Sequence, residues 1–197
     1  MKKIQVLPEA FFDSLSISHK LGDSLVDFRS EEIHLFSYFA SILFLYNGNS
    51  LAGWKYKFIL DGKGYPFSDY LNESIKRHRL SGVVEEHGEY LRITPKGVDE
   101  YYKFKNLKNM LNRDECINAA CATNILLPYS KTLRALLRDP ELEKRKITRE
   151  KKTIDNSYAY EKFKEISEAV GIPENDLAIS AVAWINYINE KYYAAGQ

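Results

Sequence analysis

The stretch DYLNESIKRHRLSGVVEEHGEYLRITPKG, residues 69–97, decides the fold prediction for this chain. Its first part predicts a helix over residues 69–80, because Leu71 and Ile75 recur at helical spacing and face inward. Ser68 precedes this helix and is a residue type that caps helix N-termini. We therefore place one amphipathic helix at the head of this stretch.

A β-hairpin and a further helix are predicted to follow. Residues 83–86 and 90–93 read as two short strands joined by the turn 87–89. Thr94-Pro95 is a capping residue followed by proline, the preferred opening of a helix, and that helix runs to about Leu111. The local order is helix, hairpin, helix.

The residues before this stretch predict an arm, a central helix and a strand. Residues 1–29 are expected to form an N-terminal arm, in which residues 9–21 form either a short helix or a docking arm. Ser30 caps a helix that is apolar almost all round, which is typical of a helix at the centre of a core. Aromatic residues alternate with lysines over 54–60 and predict a half-buried strand.

The remainder of the chain, residues 113–197, is predicted to be entirely helical. The candidate helices are 114–125, 131–138, 141–152, 156–170 and 174–193. The segment 141–152 is dense in charge and is either a solvated helix or a linker. The fold class predicted is mainly α, with a module over 30–112 that contains the hairpin and a helical C-terminal domain over 113–197.

Three stretches resemble the winged-helix family, namely 64–71 before the second helix, 80–85 after it, and 90–97 beyond the hairpin. In that family the hairpin is the wing. The turn reads Gly-Tyr-Pro-Phe-Ser here, whereas many members have Tyr-Gly-Pro-Phe-Ser, so its first residues are permuted. The resemblance covers roughly residues 30–110. The general layout is also similar to the small middle subunits of ABC-three-component and related SMC-like antiphage systems.

Charge and motif content argue against several function classes. Lys and Arg number 28 against 27 Asp and Glu, so bulk charge does not indicate a strongly basic nucleic-acid binder. Cys116 and Cys121 are five residues apart on a predicted helix and are expected to be reduced, buried thiols. The four histidines have no metal-ligand spacing, and no catalytic or phosphate-binding motif is present. We predict no enzyme activity, no cofactor and no metal.

The longest apolar run, residues 33–46, is too short to cross a bilayer. The N-terminal residues lack the apolar core of a secretory signal. We therefore expect a cytoplasmic protein with no membrane partner.

DNA binding is the obvious use of a winged helix, and it defines one hypothesis. The side chains that could contact DNA belong to the predicted helix, to the hairpin and to the basic stretch 131–152; they are Asn72, Lys76, Arg79, Arg92, Lys144, Arg145 and Lys146. However, Asp69 and Glu73 lie in the first half of the helix, and the wing tip is Glu85-Glu86-His87-Gly88-Glu89. A phosphate backbone repels such a surface.

The last helix supports a different hypothesis. Trp184, Ile188 and Tyr192 lie on a wide apolar face that could pack within the chain, or against a protein partner or a second copy. The leading prediction is a non-enzymatic accessory subunit of a multi-protein complex, in antiphage defence or of the SMC-like kind, with the winged helix as a protein-docking surface. The competing prediction is a DNA-binding regulator that dimerises through 156–193.

Overall fold

A computed structural model describes residues 5–148, 153–154, 157–171 and 176–194, and the described chain is mainly helical, as predicted. The helices are α1 (Pro8–Leu25), α2 (Ser30–Tyr46), α3 (Leu51–Trp54), α4 (Asp69–Leu80), α5 (Pro95–Phe104), α6 (Leu111–Leu126), α7 (Tyr129–Leu137), α8 (Pro140–Thr148), α9 (Ser157–Val170) and α10 (Leu177–Ala194). The strands are β1 (Ile59–Leu60), β2 (Pro66–Phe67), β3 (Val84–His87) and β4 (Tyr90–Ile93).

The strands form two small antiparallel sheets. β1 pairs with β2, and β3 pairs with β4 in a register that sets Val84 opposite Ile93 and His87 opposite Tyr90. Phe28 adds a single bridge on the other edge of β4, since its N–H donates to Leu91 O at 3.0 Å and Leu91 N–H donates to Phe28 O at 2.7 Å. The hairpin therefore has a third, one-residue strand beside it.

The helix α1 differs from the predicted arm. It has 18 residues, lies in the core and packs against α2, α4, α5 and α6. Three of its buried residues are serines, which make the helix look less apolar in the sequence than it is in the structure. Two of their hydroxyls donate to carbonyls one turn back: Ser14 to Ala10 at 2.9 Å and Ser18 to Ser14 at 2.7 Å. A hydroxyl satisfied in this way can be buried at small cost.

The helix α2 is the centre of the molecule. All side chains from Glu32 to Phe44 are buried, and the helix packs against α1, α6 and α9. The same hydrophobic cluster contains Phe39 of α2, Ile117 of α6 and Trp184 of α10. The core is thus continuous across residue 112, where the sequence predicts a domain boundary.

The predicted strand over 54–60 is only partly correct. Regular pairing is limited to β1, and Trp54 belongs to the short helix α3. The alternation is nevertheless real, because Trp54, Tyr56 and Phe58 are buried while Lys55 and Lys57 are exposed. The segment is extended, and Phe58 O accepts a hydrogen bond from Ile154 N–H at 2.8 Å.

Within the described residues, none of the helices combines the length and the apolar character that crossing a lipid bilayer requires.

Candidate docking surface on α4 and the hairpin

The helix α4 is held by one face and exposes the other. Leu71, Ile75 and His78 are buried, and the helix packs mainly on α1. The buried His78 Nε2 lies 2.9 Å from Ser14 Oγ and 3.1 Å from Phe11 O, which fixes α4 to α1. The exposed face consists of Asp69, Tyr70, Lys76, Arg77, Arg79 and Leu80.

The hairpin carries the predicted acidic residues on its outside. Val84 and Leu91 are buried and attach it to the core, whereas Glu85, Glu86 and Glu89 are exposed. Gly88 has a φ of 65°, the left-handed conformation that the tight turn between β3 and β4 requires and that glycine adopts most readily. We call the exposed side chains of α4 and of residues 85–90 the α4–hairpin surface.

Arginines of α4 are paired with carboxylates of the same surface. Arg79 Nη1 lies 3.0 Å from Glu86 Oε1 of β3, and Arg77 Nε donates to Glu73 Oε1 at 3.2 Å. Lys76 is exposed and has no partner among the residues that the structure describes. Asn72 is half-buried on the same helix. Two of the three basic side chains of α4 are therefore already neutralised.

Arg92 of β4 is also engaged within the chain. Its guanidinium donates two hydrogen bonds to the Asp27 carboxylate, at 2.8 and 2.9 Å. These hydrogen bonds hold the pKa of Asp27 below its usual value. At the hairpin tip, Arg29 lies 3.6 Å from Glu89 and packs over the Tyr90 ring. A bidentate arginine–carboxylate pair leaves Arg92 few donors for a phosphate.

The α4–hairpin surface has a mixed and slightly acidic charge. Its exposed carboxylates are Asp69, Glu85, Glu86 and Glu89, with the half-buried Glu73 beside them, and its basic residues are Lys76, Arg77 and Arg79. A polyanion would have to displace the carboxylate partners of most of these cations before pairing with them, and this exchange reduces the free energy that it gains. Exposed tyrosines, Tyr70 and Tyr90, lie among the charges. Aromatic residues within a polar rim are typical of protein–protein contacts.

The predicted basic contacts on α8 are mostly occupied. Arg145 donates to Glu141 Oε1 at 2.8 Å, with both side chains nearly buried. Lys146 donates to Leu137 O at 2.6 Å and to Glu143 at 2.8 Å. Lys144 alone of the predicted trio is exposed. The charge of α8 thus serves mainly to attach the helix to its own surroundings.

The predicted partner face on α10 is buried inside the chain, which corrects the expectation from sequence. Trp184 is 1% exposed and stacks on Phe163 of α9 at 5.4 Å, and Ile188 is 0% exposed. The side chain of Tyr192 lies outside the described part of the structure. The apolar face is covered because α10 packs on α6, α7 and α9, so two of the three predicted residues offer no surface.

Sequence reasoning missed a buried ionic network in the core. Arg113 of α6 donates two hydrogen bonds to the Asp13 carboxylate of α1, and the Tyr56 hydroxyl donates a third. Arg113 also donates to Gly53 O at 3.2 Å and stacks 4.0 Å over the Trp54 ring. The amino-acid sequence offers little indication of this pair, because Asp13 and Arg113 are 100 residues apart along the chain.

Burial and ion pairing shift the pKa values of Asp13 and Arg113 in opposite directions. Burial raises the pKa of Asp13, and Arg113 opposes that shift. Asp13 raises the pKa of Arg113, which burial alone would lower. Three donors converge on the Asp13 carboxylate, and this arrangement favours its ionised form beside the charged guanidinium.

The nucleophilic and imidazole groups of the core are buried. Burial lowers the pKa of His34 and of His78 to about 4, and it raises the pKa of Cys116 and of Cys121 to about 12. Both thiols are therefore protonated at neutral pH. In the part of the chain described, no three His, Cys, Asp or Glu residues form a group that could hold a metal ion.

We compared the chain with protein-family models, with curated proteins and with solved structures, and found no match in any of the three.

Proposed function

We propose that this protein is a non-enzymatic accessory subunit that docks another protein on its α4–hairpin surface, and that α1 to α5 constitute a winged-helix module. The order α1, Phe28 bridge, α2, α4, β3, β4, α5 supports this assignment, with residues 51–67 inserted between the second and third helices. On this proposal the module begins at α1 and not at residue 30.

One observation carries the docking proposal: arginines of α4 and the hairpin are paired with carboxylates of the chain itself. Arg77 with Glu73, Arg79 with Glu86 and Arg92 with Asp27 are pairs that a nucleic acid would have to displace. A protein partner can use the same pairs as the polar rim of an interface and the exposed tyrosines as its centre.

The test places a photo-crosslinking amino acid, p-benzoyl-phenylalanine, at Tyr70 or at Tyr90 in the native host. The control carries it at Ile179 of α10, which has similar exposure: the three side chains are 40%, 42% and 51% exposed. We expect one discrete protein adduct from both tyrosine positions and none from Ile179. Nucleic-acid adducts, or no adduct at either tyrosine, would contradict the proposal.

A DNA titration supplies the second arm. Labelled duplex DNA is titrated with the protein at ~50 mM salt, where phosphate contacts are strong. We expect no saturable binding. Binding that weakens steeply with salt and is lost in Lys76→Gln would support the DNA-binding regulator instead.

A further inference from the structure

A groove opens beside the α4–hairpin surface, between the end of α4 and α5. Both helices pack on α1, and the Phe11 ring of α1 lies between them, with its centre 4.2 Å from that of His78 on α4 and 6.4 Å from that of Phe104 on α5. The groove has a volume of about 460 Å³ and is lined by Val6, Phe11, Arg77, Leu80, Ser81 and Glu100. Because Arg77 and Leu80 also belong to the α4–hairpin surface, the groove and that surface are continuous.

The apolar side chains of this groove are accessible to a partner. Leu80 is 83% exposed, the largest exposed fraction among the large apolar residues that the structure describes. Val6 and Phe11 are half-buried, and the neighbouring Phe104 is 37% exposed. A bound apolar side chain would remove this surface from water, which favours binding in proportion to the area buried.

Among the described residues that line the groove, Glu100 is the one charge without a partner. Arg77 Nε already donates to Glu73 Oε1 at 3.2 Å. Lys96, one helical turn before Glu100 on α5, donates instead to Ser81 O at 2.6 Å. The Glu100 carboxylate is therefore available to a cation of a bound partner.

The adjoining α4–hairpin surface favours a partner of the same sign. Five carboxylates lie on that surface with three basic residues, and Glu100 adds a further carboxylate at its border. A second copy of this chain in this contact would bring two acidic surfaces together, which is unfavourable. A basic segment of another protein would complement them.

We propose that this groove receives an apolar side chain of the docked protein, and that a lysine or arginine next to that side chain pairs with Glu100. The apolar side chain packs against Phe11 and Leu80. The inference rests on the proposed docking function and adds the chemistry of the partner: its contact segment carries a bulky apolar residue beside a basic one.

The first test places p-benzoyl-phenylalanine at Leu80 in the native host and identifies the crosslinked segment of the partner by mass spectrometry. The control carries it at Ile147 of α8, because the two side chains are 83% and 81% exposed. We expect the protein that is captured from Tyr70 and Tyr90, crosslinked at a segment in which an apolar residue adjoins a lysine or arginine. No such adduct from Leu80, or the same adduct from Ile147, would overturn the proposal.

The second test measures the yield of the Tyr90 adduct in charge variants. Glu100→Lys should lower the yield about fivefold or more, because it replaces an attraction by a repulsion. Exchange of the crosslinked basic residue of the partner for glutamate should restore it. The matched control, Asp99→Lys, makes the same change of charge at an exposed neighbour that does not line the groove, and it should leave the yield unchanged.

Leu80→Ser should also lower the Tyr90 yield without changing the urea midpoint, because the leucine is exposed in the isolated chain. An unchanged yield in both Leu80→Ser and Glu100→Lys would overturn the groove assignment while docking on the α4–hairpin surface stands. No adduct at either tyrosine would overturn both proposals. An adduct with a second copy of this chain would overturn the assignment of a basic partner.

Discussion

At the scale of single residues, the pair formed by Asp13 and Arg113 joins distant parts of the chain. Both side chains are almost fully buried, and between them they contact α1, α6 and the segment around Trp54. Removing one partner of such a pair leaves an uncompensated charge in the core. The loss of one partner therefore lowers the free energy of unfolding by more than the intact pair contributes to it.

We expect Arg113→Met to lower the free energy of unfolding by about 3–5 kcal/mol, because it strands the Asp13 carboxylate. The double variant with Asp13→Leu should recover a large part of that loss. Urea denaturation followed by circular dichroism measures both, with Lys76→Met, which alters an exposed lysine on α4, as the control. Equal stability of the single and double variants would contradict this interpretation.

Two buried histidines should make the stability of the folded protein depend on pH. Burial lowers the pKa of His34 and His78 from 6.5 to about 4 in the folded state. The unfolded chain therefore binds more protons between pH 6.5 and 4, and stability falls as the pH drops through this window. Each histidine contributes a loss of about 3 kcal/mol at the acid end.

We expect His34→Asn to reduce this loss of stability at acid pH, because it removes the titrating imidazole. The asparagine amide oxygen can still accept the Ser68 N–H that His34 Nδ1 now accepts at 3.1 Å. The exposed His87→Gln should leave the pH profile unchanged. Asp139 has the opposite sign, since burial raises its pKa to about 6 and its stabilising contribution is lost as the pH rises through that value. The variants must therefore be compared with the parent chain at each pH, by urea denaturation.

At the scale of elements, the start of α5 is packed tightly against the hairpin. A Cβ added at Gly97 would lie 2.4 Å from Val83 O and 2.7 Å from Ile93 Cγ1. Thr94 fixes the position of this helix start, because its hydroxyl accepts the Gly97 N–H at 3.2 Å. Helix α5 and the hairpin thus form one unit.

We expect Gly97→Ala to destabilise the protein by about 1–3 kcal/mol, because the methyl group overlaps a backbone carbonyl. Helix propensity alone predicts the opposite sign. The control is Gly62→Ala, whose added Cβ would meet nothing within 4 Å. Thermal and urea unfolding measure whether the steric effect or the helix propensity dominates. A Gly97→Ala variant more stable than the parent chain would show that the hairpin moves aside.

At the scale of the whole molecule, one hydrophobic cluster extends from α1 and α2 through α6 to α10. Trp54 and Trp184 lie on either side of the predicted boundary at residue 112 and belong to that cluster. A shared core makes both halves dependent on each other.

We therefore expect the two halves to unfold together. Trp54→Phe and Trp184→Phe each leave one tryptophan as a fluorescent reporter of one half. In each variant, the urea midpoint measured by fluorescence should coincide with the midpoint measured by circular dichroism. Two separated transitions within one variant, seen by fluorescence and by circular dichroism, would instead indicate independent domains.

Local patterns were enough to predict several of the elements. The helix over 69–80, the two strands of the hairpin and the start of the helix opened by Thr94-Pro95 agree with the structure, although that helix ends at Phe104 and not near Leu111. So does the burial of alternate residues from Trp54 to Phe58. Each depends on spacing, capping or turn residues within a few positions, and these act before any distant contact forms.

The helical class, the hairpin and its exposed glutamates can be predicted from sequence, because those properties depend on neighbours along the chain. Long-range contacts place α1 in the core, cover Trp184 and Ile188, and pair Arg79 and Arg92 with carboxylates. Burial and ion pairing depend on which surfaces meet in space, and residues as far apart as Asp27 and Arg92, or Asp13 and Arg113, carry no local signal of that meeting.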